Sequence, residues 1–376
     1  MEPEELAGWL RLTLTPGIGP TAARRLLAAF GLPAAVFQQS PEALRQVVSE
    51  AHATALLTPP GRLGALIDNT LEWLHGTDAT GGTRRIVTLG DAGYPASLLE
   101  MVDPPLMLYV LGAAPLDLTQ LDRSLAIVGS RNPTPQGVLN ARAFARAFCV
   151  GGLVVVSGLA LGVDGAAHEG ALEAPGDLPR PATVAVVGTG LDRVYPARHR
   201  ALAHRIAERG LIVSEFALGT PPLNQNFPRR NRIIAGLTRG TLVVEAALQS
   251  GSLITARLAS EQGRDVYAIP GSIHSPQSRG CHALIRQGAK LVETVDDVLE
   301  ELRFNTPAPL TSSVPDGDSM HKGLLQAIGH DPVGLDALGA RTGDTVPTLQ
   351  AQLLELELAG QVTRLPGGLF QRIVRT

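Results

Sequence analysis

The central part of the chain alternates short, uniformly apolar runs with longer segments whose apolar residues have helical spacing. The runs are rich in β-branched residues and lack two-residue alternation, which is typical of parallel strands buried on both faces. With right-handed crossovers, this order predicts a doubly wound α/β fold with a mainly parallel sheet. The predicted strands are residues 125–128, 153–156, 183–187, 211–214, 241–244, 266–269 and 290–292, and the predicted helices are residues 135–149, 163–173, 198–209, 231–237, 253–262, 281–287 and 295–302.

The region before this series predicts a helical domain and an extension of the sheet. Residues 1–75 contain four segments with helical apolar spacing and one tight Pro-Gly turn. The four predicted helices are residues 6–14, 21–30, 41–48 and 63–74. Residues 76–83, rich in Gly and Thr, predict a linker, and residues 86–111 are expected to extend the sheet.

The region after the series predicts a small third domain. Residues 305–319 are rich in Pro, Ser, Thr and Asp and predict a linker. Residues 320–376 hold three short helical patterns followed by a hairpin-like segment at 362–370, which is the order of a winged helix. The central domain therefore spans residues 84–303.

Composition indicates a globular protein without a membrane span. Its 376 residues are 44% hydrophobic and 18% charged, as in proteins with a sizeable core. The acidic opening residues lack the pattern of a signal peptide, and no apolar run approaches the roughly 20 residues that a span needs. We expect a cytoplasmic protein with no metal or cofactor. Cys149 and Cys281 are too few for a thiolate-rich zinc site and are expected to be buried or spare thiols.

The basic residues cluster although the net charge is only −3. Residues 190–239 hold nine arginines against three carboxylates, Asp192, Glu208 and Glu215. A local basic stripe on a nearly neutral protein is what phosphate binding requires.

Polar loops that contain glycine follow five of the predicted strands. In an open parallel sheet, such loops meet at the carboxyl edge, where helix N-termini present free N–H groups. Glycine lets the backbone approach an anion closely. One loop alone would be ordinary turn chemistry, but the repetition predicts a groove for a polyanion. The loops are residues 129–132, 157–164, 188–193, 245–255 and 270–272.

The sequence Phe-Pro-Arg-Arg-Asn-Arg at residues 227–232 leads into a predicted helix. Three arginines at a helix start oppose the helix dipole, and a bound anion would offset that cost. The alternative is a solvated basic turn.

Enzyme signatures are largely missing from the sequence. The chain has no Walker A lysine motif, no Gly-x-Ser-x-Gly elbow and no His-Glu-x-x-His, and Arg193 interrupts the dinucleotide fingerprint that Gly188 and Gly190 begin. Asp164 and His168 have the spacing of a helical pair and are expected to brace their helix, because no nucleophile accompanies them. The sequence therefore predicts a binding protein rather than an enzyme.

The ordered motifs resemble those of the DprA/Smf family of DNA processing proteins. The resemblance covers about half of the chain and is specific because many motifs occur in one order. The matching segments are residues 127–131, 157–164, 188–196, 214–215, 227–237, 243–246, 250–256 and 268–271. It implies an extended Rossmann-like core that binds single-stranded DNA, forms a homodimer and contacts RecA. It also implies protection of incoming DNA, loading of RecA during natural transformation, and no catalytic activity.

The family's groove uses the Gly-Ser-Arg loop and neighbouring basic residues. Many relatives have Lys or Arg where this chain has Leu161, and Arg193 or Arg198 is expected to compensate. The predicted nucleic-acid-binding residues are Gly129, Ser130, Arg131, Ser157, Gly158, Gly162, Arg193, Arg198, Arg229, Arg230, Asn231, Arg232, Gly251, Ser252 and Thr255.

Two alternative functions remain open at this point. Distant Rossmann-like relatives include nucleotide phosphoribohydrolases, whose Gly-rich loop would fall near residues 245–255, although Glu245 here precedes the single Gly251. A regulator that binds duplex DNA through the tail is the second alternative.

The flanking domains also resemble family accessories. Residues 14–26 resemble a helix-hairpin-helix turn or a SAM-like packing domain, with Arg24 and Arg25 placed for a phosphate. The winged-helix-like tail, with acidic Glu355 and Glu357, would bind duplex DNA or another protein.

Overall fold

The computed structural model describes residues 1–76, 82–113, 116–175, 180–302, 322–329 and 331–373. The predicted linker at 305–319 and most of the predicted linker at 76–83 lie outside these residues.

Six helices form the N-terminal unit. They are α1 (Pro3–Leu14), α2 (Pro20–Phe30), α3 (Pro33–Phe37), α4 (Pro41–Arg45), α5 (Glu50–Leu57) and α6 (Leu63–His75). The short α3 and α5 were not predicted. The core of this unit includes Trp9, Leu10 and Leu26, and it is continuous with Tyr109 from the sheet. Trp73 contacts Tyr109 edge-on at 5.8 Å between ring centroids, so the helical unit packs against the sheet margin.

The central sheet has nine strands in the order β1-β2-β6-β5-β4-β3-β7-β8-β9. All pairs are parallel except β1–β2 and β2–β6, which are antiparallel. The predicted extension by residues 86–111 is therefore confirmed as an antiparallel margin. The strands are β1 (Thr83–Thr88), β2 (Met107–Gly112), β3 (Ser124–Val128), β4 (Val154–Ser157), β5 (Thr183–Val186), β6 (Leu211–Ser214), β7 (Gly240–Val243), β8 (Asp265–Ala268) and β9 (Lys290–Leu291).

Helices cover both faces of this sheet. Along β3, Ala126 and Val128 face the layer of α7, α11, α12 and α13, whereas Leu125 and Ile127 face the layer of α8, α9 and α14. Two buried faces explain why the strands are apolar at every position. The helices are α7 (Ala96–Leu99), α8 (Pro135–Val150), α9 (Val163–Leu172), α10 (Arg200–Arg209), α11 (Asn226–Leu237), α12 (Gly251–Glu261), α13 (Arg279–Arg286) and α14 (Asp296–Glu301).

The C-terminal unit has three helices and a three-stranded sheet in the order β10-β12-β11. Its separate core includes Leu338, Leu349, Leu353 and Phe370. The elements are α15 (Lys322–Ile328), β10 (Val333–Gly334), α16 (Leu335–Thr342), α17 (Val346–Leu358), β11 (Val362–Leu365) and β12 (Leu369–Arg372).

Two further expectations concern single residues and membrane contact. Cys149 and Cys281 are free and buried, as predicted. Among the helices that the structure describes, none combines the length and apolar character needed to cross a bilayer.

Candidate nucleic-acid interface

The order in which strands are added to the sheet reverses between the neighbouring strands β3 and β7, which makes this position the topological switch point. From β3 the chain adds β4, β5 and β6 on one side, and it then returns to add β7, β8 and β9 on the other. Ligands of doubly wound folds bind in the crevice at such a switch point, beyond the carboxyl ends of the strands. A groove of about 550 Å³ lies there. Its lining includes Gly129, Ser130, Arg131, Asn132, Asp164, Phe227, Arg230, Asn231, Gly251, Ser252 and Thr255.

The loop after β3 is held tightly by its neighbours. The backbone N–H of Ser130 donates to the carbonyl of Glu245 at 2.7 Å, and the Ser130 carbonyl accepts from the N–H of Val163 at 3.1 Å. The Ser130 hydroxyl accepts from the N–H of Asn132 at 3.1 Å. Gly162 has φ of 83°, and a Cβ there would lie 2.4 Å from the Ser130 carbonyl oxygen, so only glycine fits. This loop is rigid, and two of its N–H groups are already donated within the protein.

Arg131 projects from this rigid loop as an exposed cation. Its guanidinium carbon lies 5.6 Å from the ring centroid of Phe227, a cation–π distance. The ring of Phe227 in turn lies 5.6 Å from that of Tyr195, at an interplanar angle of 36°. Arg131 makes no ion pair with the described residues. An exposed guanidinium that forms no ion pair with the described residues is available for a phosphate.

The N-terminus of α12 forms the opposite wall of the groove. Ser250 caps the helix by accepting from the N–H of Ser252 at 3.3 Å. Gly251 is exposed, whereas Ser252 and Thr255 are buried behind it. The side-chain amide of Asn231 donates to the Gly251 carbonyl at 3.4 Å and ties α11 to α12. Ser252 and Leu253 thus already donate their N–H groups to Ser250, the latter to its carbonyl at 3.1 Å, so Gly251 is the first-turn residue with exposed backbone at the groove.

Arg230 lies beneath the groove and braces it. It is 4% exposed and donates to the carbonyls of Gly158 at 2.6 Å and of Val186. Burial lowers the pKa of Arg230 to about 10, and the nearby Asp164 carboxylate opposes that shift. Burial also raises the pKa of Asp164, and Arg230 is the first of the groups that oppose it. The two buried side chains are therefore an electrostatically coupled pair.

Arg229 and Arg232, the other two arginines of residues 227–232, do not line the groove. Arg232 is buried and forms ion pairs with Glu215 and, at 3.2 Å, with Asp103. Arg229 is exposed, with its guanidinium carbon 5.9 Å from the centroid of the Phe216 ring.

The expectation of three arginines at a helix start is wrong. Helix α11 begins at Asn226, five residues before the predicted start, so the arginines lie within the helix. Arg230 and Arg232 are balanced by Asp164 and Glu215, and their positive charges therefore need no external anion.

The remaining predicted site residues lie in several places. Ser157 is fully buried and donates to the Ile127 carbonyl at 2.7 Å. Gly158 borders a small cavity beside Arg131. Arg193 pairs with Asp192 at 2.7 Å and lines a different cavity. Arg198 is exposed on the 3₁₀ segment Ala197–His199.

Family comparisons match the two parts of the chain that follow the N-terminal helices. Residues 85–303 match the model described as DNA recombination-mediator protein A, and residues 307–368 match the DprA winged helix domain. The chain belongs to the DNA recombination-mediator protein A family. The predicted resemblance to DprA/Smf and the predicted fold class, including the winged helix, are confirmed.

Relatives of this family member span most of its length. Protein Smf of Escherichia coli K12 is 41% identical over 345 residues, which cover 89% of this chain and 86% of the relative. DNA processing protein DprA of Streptococcus pneumoniae is 47% identical over 214 residues, covering 57% of this chain and 73% of the relative.

Two solved structures of DNA processing protein A share the fold. The Streptococcus pneumoniae protein aligns with a TM-score of 0.65 at 34% identity, covering 80% of this chain and 98% of that chain. The Helicobacter pylori protein, described with its single-stranded DNA binding mode, aligns with a TM-score of 0.52 at 30% identity, covering 59% of this chain and 98% of that chain.

Glu245, which begins the segment where the enzymatic alternative would place its loop, braces the structure in this member of the DprA/Smf family. Its carboxylate accepts from the Thr134 N–H at 2.9 Å and from the Thr134 hydroxyl at 2.5 Å. That hydroxyl also accepts from the Gly137 N–H at the start of α8. Burial raises the pKa of Glu245, and the bonds from Thr134 oppose that rise. Both oxygens are engaged, which is a poor starting point for a general base.

Sequence reasoning missed several amide side chains that line the groove, namely Asn224, Gln249 and Gln277. Gln277 donates to the Asn132 carbonyl at 3.3 Å across the crevice. Isolated polar residues in loops carry no periodic signal, so only the folded chain brings these together.

The expected pairing of Asp164 with His168 is wrong. His168 is fully buried, and its Nδ1 lies 2.7 Å from the Thr183 hydroxyl oxygen. Thr183 donates its own proton to the Val155 carbonyl, so Nδ1 must be the donor to Thr183. Asp164 instead accepts from the Ala160 N–H at 3.3 Å.

Neutral His168 should make the stability of the protein depend on pH. Burial lowers the pKa of His168 from 6.5 to about 3, so the unfolded chain takes up this proton first as pH falls. The contribution to stability is complete above about pH 6.5 and is lost toward pH 3, by about 2 kcal/mol at pH 5. Urea unfolding at pH 7.5 and pH 5 should show a smaller difference in His168→Asn than in wild type. Replacing the exposed His274 with Asn is the control, and equal pH differences in wild type and His168→Asn would contradict this account.

Proposed function

We propose that this family member binds single-stranded DNA in the rim groove, defined here as the groove between the loop after β3 and the N-terminus of α12. The observation that carries the proposal is Arg131, an exposed guanidinium without an ion-pair partner, beside the rings of Phe227 and Tyr195. Cations for phosphates and rings for bases are the two components of single-strand binding sites.

Few phosphate donors remain once the internal hydrogen bonds are counted. The Ser130 N–H donates to the Glu245 carbonyl and the Asn132 N–H to the Ser130 hydroxyl, so the donors that we propose are the Arg131 guanidinium and the exposed backbone at Gly251. Contacts of this kind position the strand and carry no base information, so sequence preference should be slight.

Aromatic stacking complements these contacts. The ring of Tyr195 is 46% exposed, and with Phe227 it forms a step at one end of the rim groove. A base leaving the groove can stack there regardless of its identity. The Helicobacter pylori relative, with its single-stranded DNA binding mode, supports the same type of ligand.

The wider role that we propose is that of a cytoplasmic recombination mediator without catalytic activity. In this role the protein acts as a homodimer, protects incoming single-stranded DNA and loads RecA onto it during natural transformation. Sequence similarity to the DNA processing proteins supports this role. It is tested by whether the purified protein accelerates RecA filament formation on single-stranded oligonucleotides and delays their digestion by a nuclease.

Binding should weaken with salt and should favour single strands. We expect log Kd to rise with log salt at a slope of about 0.7 per phosphate neutralised. Fluorescence anisotropy with labelled dT24 and a matched duplex, each from 50 to 300 mM salt, measures both properties. Equal affinity for the duplex that survives removal of residues 1–303 would favour the duplex-binding regulator instead. Release of free base from nucleoside monophosphates would favour the enzymatic alternative.

A winged helix is compatible with two roles for the C-terminal unit, which are binding of duplex DNA and contact with another protein. Its helix α17 contains two acidic residues, Glu355 and Glu357, and no basic residue. Helices that read duplex DNA are basic, so this composition favours contact with another protein.

A further inference from the structure

A second cavity lies between the N-terminal helical unit and the sheet. It measures about 240 Å³ and is bordered by α6, by the β1–β2 margin, by the loop after β5 and by α10. Its floor is apolar and includes Leu111, Leu191, Val194 and Ile212. Trp73 closes one side and is 8% exposed. We call this the margin cavity.

The charged residues that line the margin cavity are mostly cations. Arg84, Arg193, Arg200 and His204 face a single carboxylate, that of Asp192. Asp192 is already engaged, because it pairs with Arg193 at 2.7 Å and accepts from a backbone N–H at 2.8 Å. Arg200 and His204 are exposed and make no hydrogen bond or ion pair with the described residues.

Arg84 gives the margin cavity a fixed cation. Its guanidinium carbon lies 5.6 Å from the Trp73 ring centroid, and one terminal nitrogen donates to the Trp73 carbonyl at 3.0 Å. These contacts hold the guanidinium in place at the edge of the cavity, where its charge adds to those of Arg193 and Arg200.

The combination of features narrows the chemistry of that ligand. If the arginines served only to form ion pairs within the protein, the cavity would contain a matching number of carboxylates. If the ligand were purely apolar, the three guanidiniums would have no partner in it. An apolar floor with an indole on one side and cations on the other fits a nucleotide, which has a flat base and a phosphate.

A third, small cavity lies between the rim groove and the margin cavity along the chain. It shares Arg131 and Phe227 with the rim groove, and it is also lined by Tyr195 and Pro196, which directly follow residues 191–194 of the margin cavity in sequence. Two residues of chain span at most about 7 Å, so a strand that passes the Tyr195 ring comes close to the edge of the margin cavity.

We propose that the margin cavity holds a further nucleotide of the same single strand as it leaves the rim groove. Its phosphate binds Arg193, Arg200 and His204, and its base lies on the apolar floor beside Trp73. This second site rests on the proposed binding of DNA in the rim groove, and it gives the N-terminal helical unit a direct part in DNA binding.

The proposal predicts an effect that depends on oligonucleotide length. Arg200→Glu in the full chain should weaken binding of labelled dT24 at least fivefold, while dT3, which is too short to occupy the rim groove and the margin cavity together, should bind as to wild type. Anisotropy at low salt measures both. Arg205→Glu is the matched control, because Arg205 is exposed on the same helix and does not line the cavity. A loss on dT24 that Arg205→Glu reproduces in full would overturn the proposal.

Tryptophan fluorescence gives an independent readout of the margin cavity. The chain has two tryptophans, and Trp9 is buried in the core of the helical unit, so a ligand in the cavity reports through Trp73. We expect dT24 to quench this emission and dT3 to leave it unchanged, with the quenching lost in Arg200→Glu. Unchanged emission on saturation with dT24 would overturn the proposal.

The two proposals fail in distinguishable ways. If neither oligonucleotide binds wild type, rim-groove binding fails and the margin-cavity proposal falls with it. If both bind and Arg200→Glu behaves as Arg205→Glu, only the margin-cavity proposal fails. Retained dT3 binding shows that the variant is folded, and His204→Glu replaces Arg200→Glu if that affinity is lost. The same length-dependent loss is then expected, and its absence overturns the proposal.

Discussion

Replacement of Arg131 with alanine is expected to reduce affinity for single-stranded DNA by about 10- to 100-fold. A charge-assisted contact to phosphate contributes about 1.5–3 kcal/mol, and each 1.4 kcal/mol corresponds to a factor of ten in Kd. The N–H groups of Ser130 and Asn132, on either side of Arg131, are already donated within the protein, so they cannot replace the guanidinium when it is removed. Anisotropy titration of labelled dT24 with each protein measures the change.

Two further variants separate this contact from a general loss of charge. Arg146→Ala removes an exposed arginine from α8 and should leave Kd within about twofold. Arg131→Lys keeps the charge but loses the planar fork, and it should fall between wild type and Arg131→Ala. The salt slope of Arg131→Ala should drop by about 0.7. Wild-type affinity in Arg131→Ala would remove this residue from the site.

Replacement of Arg230 with methionine is expected to lower the free energy of unfolding by about 3–5 kcal/mol. The change leaves Asp164 buried without its cation and two main-chain carbonyls without their donor. Breaking one side of a buried charged pair typically costs this much, because the remaining charge is uncompensated. Urea denaturation followed by circular dichroism measures the loss.

The neighbouring residue supplies the matched control for this effect. Arg229→Met alters an exposed arginine on the same helix, and it should change the unfolding free energy by less than about 0.5 kcal/mol. Adding Asp164→Asn to Arg230→Met should recover part of the loss, since the stranded carboxylate is then gone. If Arg230→Met unfolds as wild type does, the bracing role assigned to Arg230 is wrong.

The sheet could be predicted from sequence because its strands are apolar at every position. Side chains of β3 alternate between two helical layers, and burial on both faces leaves the same uniform signal in each parallel strand. The first residue of α11, in contrast, could not be predicted from the pattern of apolar residues. Pro228 is the third residue of that helix, a position that tolerates proline, but in sequence it resembles a helix breaker.

Which arginines are buried in ion pairs and which are exposed depends on partner residues that are distant in sequence. Arg230 and Arg131 are the same residue type and both lie in segments that were predicted to bind DNA, yet one is buried near Asp164 and the other is exposed beside Phe227. Sequence clustering finds the neighbourhood of the site because the loops converge. It does not reveal which guanidiniums are neutralised inside, since that depends on tertiary contacts such as Arg232 with Glu215.

The brace formed by Glu245 has a consequence for how a polymer enters. It joins the two halves of the sheet at the switch point through its main chain to Ser130 and through its carboxylate to Thr134. A crevice fastened in this way does not hinge open around a ligand, and Arg131 and Gln249 stand exposed along it. In the proposed function, DNA is therefore laid into the rim groove sideways at any internal position, so that a circular or very long strand needs no free terminus to be captured.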